Sequence, residues 1–77
     1  MSAKLRILVV EDEPAIRRGL LDVFAHHGFE ASGAATGEEG LRAGLSGGHD
    51  LVVLDLMLPG ISGFDVCERL RAEHARL

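Results

Sequence analysis

Three short β-rich apolar runs, separated by segments of helical length, leave this chain few ways to fold. The runs are LRILVV (Leu5 to Val10), a weaker stretch from Phe29 to Ala34, and LVVL (Leu51 to Leu54). Continuous apolar runs this short, bounded by turn residues, read as buried strands. After the first, Glu11, Asp12 and Glu13 end the strand and Pro14 suits the opening turn of a helix. Ile16, Leu20, Val23, Phe24 and His27 then recur at helical spacing, and Gly28 is a helix stop. Thr36 and Glu39 form a capping box for a second helix, with Leu41 and Leu45 expected to face inward. Gly40 and Gly44 interrupt that helix and should weaken it, and Gly47-Gly48 end it. Beyond the third strand, Ser62 and Asp65 make a second capping pair. Val66, Cys67, Leu70 and Leu77 fall on one side of the third helix they open. The order βαβαβα predicts an α/β fold: a parallel sheet with helices on both faces.

Seventy-seven residues make one domain at most, with a small core. The formal charge of −4 argues against a nucleic-acid surface within this segment, where a basic patch is expected. It leaves open a separate DNA-binding domain elsewhere. The lone Cys67 has no internal disulfide partner and fits a reducing, cytoplasmic setting. The longest apolar runs are far too short to span a bilayer, and the N-terminus lacks a signal-peptide pattern.

Crossovers between parallel strands are right-handed. If strand 2 lies on one side of strand 1 and strand 3 on the other, the order is 2-1-3. Helices 1 and 2 then cover opposite faces. The winding reverses at strand 1, opening a crevice at the carboxyl ends of strands 1 and 3, where open α/β sheets bind ligands. Glu11 and Asp12 end strand 1, and Asp55 ends strand 3. Neighbouring strands lie about 5 Å apart, so three acids far apart in sequence would share one small site. Unscreened, they repel. A divalent cation removes that penalty, and an all-oxygen donor set favours Mg²⁺ over zinc. With charge screened, Asp55 is a nucleophile for an incoming phosphoryl group. The plainer alternative is solvated loop charge, because strands end at the surface and acids are common there.

ILVVEDEP (Ile7 to Pro14) and DLVVLDLMLPGISGFDV (Asp50 to Val66) strongly resemble the receiver domains of bacterial two-component response regulators, most of all the OmpR/PhoB type. The similarity runs from Lys4 to Leu77. It implies a three-layer, flavodoxin-like (CheY-like) αβα fold, here reduced to three βα units. By the same resemblance Asp55 is the phosphoacceptor, and Glu11 and Asp12 hold Mg²⁺, with Asp12 the more direct ligand. The backbone carbonyl of Met57 completes the metal shell, and Pro59 and Gly63 shape the loop that begins helix 3. The implied partner is a sensor histidine kinase, whose phosphohistidine is the donor; acetyl phosphate can also serve. The implied role is a cytoplasmic signalling switch rather than an enzyme, controlling a DNA-binding transcriptional output in a longer protein.

Receivers of this kind have five strands in the order 2-1-3-4-5, and the similarity covers the first three. Residues 1–77 are therefore expected to be a partial receiver domain. The strand 4 Ser/Thr and strand 5 Lys that contact the phosphoryl oxygens lie outside it. No cation here is expected to replace them, since Lys4 lies at the far end of strand 1 and the arginines are assigned to helices. The rival reading is thus a fragment or interaction module that is not phosphorylated. A haloacid-dehalogenase-like phosphatase is a weaker rival, because Asp55-Leu56-Met57 lacks the second acid of a DxD pair. Strand 3, left as an edge, is expected to leave the chain either poorly stable or self-associating through that strand. His26 and His27 suit the negative end of helix 1, and His49 and His74 are expected at the surface. Cys67 reads as a small core residue, and Arg69, Arg71 and Arg76 as a solvated helix face. The Gly37, Gly47 and Gly48 region carries no GxxxxGK[ST] phosphate loop.

Overall fold

The computed structural model describes residues 4–55, 57, 58 and 60–73. Pro59, His74, Arg76 and Leu77, given roles above, lie outside the described residues. The elements run β1 (Arg6–Val10), α1 (Pro14–His26), β2 (Glu30–Ala34), α2 (Gly37–Leu45), β3 (Leu51–Leu54) and α3 (Gly63–Glu73). Strands 1 and 2 each start one residue later than the apolar pattern predicts. The sheet is parallel throughout, in the order β2-β1-β3. Val9 stands level with Gly33 and Val53, and Val10 with Ala34 and Leu54.

β1 is the centre of the molecule. Ile7, Leu8, Val9 and Val10 are all buried, as a middle strand covered on both faces requires. Side chains alternate across a strand. Leu8 and Val10 join Ala34 and Leu58 in one core cluster, flanked by Val52, Leu54 and Ala43 of α2. On the other face, Gly33 meets Arg17 and Leu21 of α1. α1 and α2 therefore cover opposite faces, as the winding argument expects, and α3 packs against α2.

The caps are largely as the sequence indicates. Pro14 takes the first position of α1 behind an N-capping Glu13. The Glu39 N–H donates to the Thr36 hydroxyl (3.0 Å), and the Asp65 N–H donates to the Ser62 hydroxyl (3.2 Å). α1 ends at His26, and Gly28 adopts a left-handed backbone (φ 88°) that turns the chain into β2.

Two helical faces differ from expectation. Leu41 is only half-buried and Leu45 is 40% exposed, whereas Gly37, Gly40 and Gly44 are the buried residues of α2. The glycines do not merely interrupt this helix; they are its packing surface. A Cβ on Gly40 would lie 2.6 Å from a Val10 methyl, and one on Gly44 would lie 2.6 Å from Leu70. On α1 no residue is fully buried: Leu20 and Phe24 are half-covered, and Ile16 and Val23 are each 53% exposed. On α3, Val66 and Leu70 are buried as expected, and Cys67 is half-buried rather than a core residue. Among the described residues, no helix is long and apolar enough to cross a membrane.

Candidate functional site

The site lies at the carboxyl ends of β1 and β3, and main-chain pairing builds it. The Glu11 N–H donates to the Ala34 carbonyl (3.0 Å), extending the β1–β2 ladder by one residue. The Asp55 N–H donates to the Val10 carbonyl (3.1 Å), which sets Asp55 beside the start of the β1–α1 turn. Glu11, Asp12 and Asp55 each bring a carboxylate oxygen within 4.8 Å of the other two. The three acids singled out from the sequence thus meet. Glu11 and Asp55 are half-buried and Asp12 is exposed.

Local hydrogen bonds orient two of these carboxylates. Asp55 Oδ1 accepts from the Met57 N–H (2.9 Å), the side-chain-to-backbone bond that an aspartate makes two residues on. Glu11 Oε2 accepts from the Glu13 N–H (3.0 Å). The Met57 side chain is 85% exposed, so its bond to this site is made by its main chain. Gly63 is buried as the first residue of α3, in keeping with a loop that must close tightly there.

One contact was not anticipated. Arg17 Nη1 donates to the Glu11 carbonyl (2.8 Å), so a helix residue reaches back to the strand end. Nor are all the arginines on helices, because Arg6 lies in β1 and pairs with Glu30 (3.3 Å) at the opposite pole. There the Arg6 N–H donates to Asp50 Oδ2 (2.7 Å), fastening the start of β1 to the start of β3. His49 belongs to this pole and is half-buried rather than a surface residue, with Nδ1 enclosed and without a partner among the described residues. Burial lowers its pKa, the Arg6 charge lowers it further, and Asp50 opposes both. His26 and His27 stack edge to face on α1's end, away from the acids.

Oxygen donors at this spacing suit a hard divalent cation such as Mg²⁺, which binds through one or two carboxylates while keeping several waters. Among the described residues no Cys or His joins the group, so the donor set is unlike a structural zinc site.

Residues 7–77 match the response regulator receiver domain family, and the chain belongs to it. It is 46% identical over 65 residues to the transcriptional regulatory protein AfsQ1 of Streptomyces coelicolor, covering 84% of this chain and 29% of AfsQ1. The chain therefore spans under a third of that relative's length. Its fold superposes on the response regulator TrrA of Thermotoga maritima, crystallised with Mg²⁺-BeF, with a TM-score of 0.89 and 45% identity. That match covers 92% of this chain and 62% of TrrA. TrrA also superposes in its complex with the histidine kinase ThkA, at a TM-score of 0.86.

Proposed function

We propose that Asp55 accepts a phosphoryl group from a sensor histidine kinase while Glu11, Asp12, Asp55 and the Met57 carbonyl hold Mg²⁺. The convergence of the three carboxylates within 4.8 Å at the two strand ends carries this reading. It is supported by family membership and by a relative crystallised with Mg²⁺-BeF. An Asp55 oxygen attacks phosphorus, the bond from phosphorus to the donor atom breaks, and an aspartyl phosphate forms. The Met57 N–H holds Asp55 Oδ1, which leaves the second oxygen of that carboxylate as the attacking atom. A bound Mg²⁺ supplies charge neutralisation between the carboxylates and the incoming phosphoryl oxygens.

In this reading residues 1–77 are the first three βα units of a receiver domain. It acts in the cytoplasm and governs a DNA-binding output carried elsewhere in a longer protein, as its transcriptional relatives favour. Titration of Mg²⁺ into the ¹⁵N-labelled chain tests the metal half. Amides of Asp12, Asp55 and Met57 are expected to shift saturably, and Asp12→Asn to weaken binding by roughly tenfold or more as one hard anionic ligand is lost. Unchanged affinity in Asp12→Asn would remove that residue from the metal shell.

The same 77-residue polypeptide is proposed to self-associate through β3. Among the described residues this strand pairs on one side only, with β1, and Leu51 on it is 51% exposed. An apolar strand with an open edge is a template for pairing. Sedimentation velocity is expected to show a mass that rises with concentration; a monomer at every concentration would discard this part.

A further inference from the structure

We propose that Arg17 is a positioning residue for the acidic site: its guanidinium clamps the β1–α1 turn so that Glu11 and Asp12 stay turned toward Asp55. The inference rests on the reading of that site as a divalent-cation site.

Glu11 and Asp12 stand where β1 has ended and α1 has not begun, so no regular ladder fixes their backbone beyond the Glu11 N–H. The turn is tied instead by contacts from α1. The Arg17 N–H donates to the Glu13 carbonyl (2.9 Å), and the Arg17 side chain donates to the Glu11 carbonyl (2.8 Å). One residue thus holds both ends of the Glu11–Glu13 segment. That carbonyl belongs to the peptide joining Glu11 to Asp12, so holding it orients the plane that carries both Cα atoms and narrows the directions in which the two side chains can leave the chain.

The path of Arg17 is built into the sheet. Its Cδ and Cγ lie 3.1 and 3.4 Å from where a Cβ on Gly33 would stand. Gly33 is in β2, level with Val9, and its lack of a side chain leaves the channel along which the arginine stem reaches the strand end. Arg17 is half-buried, whereas its neighbour Arg18 points to solvent and pairs with Asp22 (3.6 Å).

Position and charge make opposite forecasts. A guanidinium acting only through its charge would repel a cation, so removing it would tighten Mg²⁺ binding. A clamp, once removed, loosens the turn and weakens binding. The test is a Mg²⁺ titration followed by amide shifts on the full chain, comparing wild type with Arg17→Met, Arg17→Lys, Gly33→Val and Arg18→Met. Arg17→Met is expected to weaken Mg²⁺ by roughly tenfold, the order seen when an outer partner of a metal ligand is lost. Arg17→Lys, which keeps one donor, should recover part of the loss. Gly33→Val keeps the guanidinium but fills its channel with a residue that strands favour, and should also weaken binding. Arg18→Met should bind as wild type does. Folded spectra of Arg17→Lys and Gly33→Val supply the answer where Arg17→Met fails to fold. Equal or tighter binding in the Arg17 and Gly33 variants, beside a wild type that binds, overturns the clamp alone. A wild type that shows no saturable shift overturns the metal reading and the clamp with it.

Discussion

Incubated with acetyl phosphate and Mg²⁺, the chain is expected to gain one phosphoryl group, visible as a retarded band on a phosphate-affinity gel. Asp55→Asn is expected to remain unshifted, a fall to background. The size of the effect follows from the chemistry: an amide oxygen is a poor nucleophile and carries no charge to share with a cation. Glu11 and Asp12, which leave from the β1 end, are proposed as metal ligands and are not expected to replace Asp55 as acceptor. Chelation of Mg²⁺ should abolish the shift in wild type, because three carboxylates within 4.8 Å then repel the phosphoryl oxygens. Acid-stable labelling would indicate a phosphate ester instead of the acid-labile acyl phosphate. A band that persists in Asp55→Asn would end the assignment. So would a wild type that never shifts, which would favour an interaction module on the same fold.

The second large effect concerns stability and has a sign that helix propensity gets wrong. Glycine in a helix interior costs about 1 kcal/mol relative to alanine, so both Gly19→Ala in α1 and Gly40→Ala in α2 would stabilise isolated helices. In the folded chain only the first should. A Cβ on Gly19 meets nothing within 4 Å, and the variant is expected to gain about 0.5–1 kcal/mol. A Cβ on Gly40 would stand 2.6 and 2.7 Å from the two methyls of Val10. Val10 is fully buried in the central strand, and its branched side chain has few rotamers in which to retreat. Overpacking of this kind costs about 1–3 kcal/mol, more than the propensity gain. Gly37→Ala should fare no better, because its Cβ would run into the backbone carbonyl of Ile61. Urea denaturation followed by far-ultraviolet circular dichroism reads both signs. A stabilised Gly40→Ala would mean that α2 sits farther from β1 than described.

Much of this was legible in the sequence. LRILVV announced a central strand covered on both faces, and Pro14, Thr36 and Ser62 marked three helix starts. LVVL announced a third strand, but as the sheet edge β3 is only half-buried and Leu51 is exposed, so its expected burial is not met. Right-handed crossovers tied the 2-1-3 order to helices on opposite faces, and that order brought Glu11 and Asp12 to Asp55. What failed was the choice of face on α2. Leu41 and Leu45 obey helical spacing as well as Gly37, Gly40 and Gly44 do. Hydrophobicity favours the leucines, but here the distance of approach decided. Without a Cβ, α2 comes near enough for Val10 and Leu70 to fill the space beside its backbone. Arg17 escaped notice for a related reason: its spacing marked a helix residue, and nothing in the letters showed that Gly33 leaves a channel beneath it. His49 reads from the sequence as a surface residue, and its enclosure shows only where Arg6 and Asp50 close that end of the sheet.

The amino-acid order by itself determined the alternation of strands and helices, the central place of β1 and the residues able to meet at its end. Periodicity and chain handedness are local properties, written in neighbouring letters. Tertiary structure alone decided which face of α2 packs, how the β1–α1 turn is held and which side chains stay half-covered on α1. Those depend on distances of a few tenths of an ångström between residues remote in sequence, where close packing allows or forbids a single methyl group.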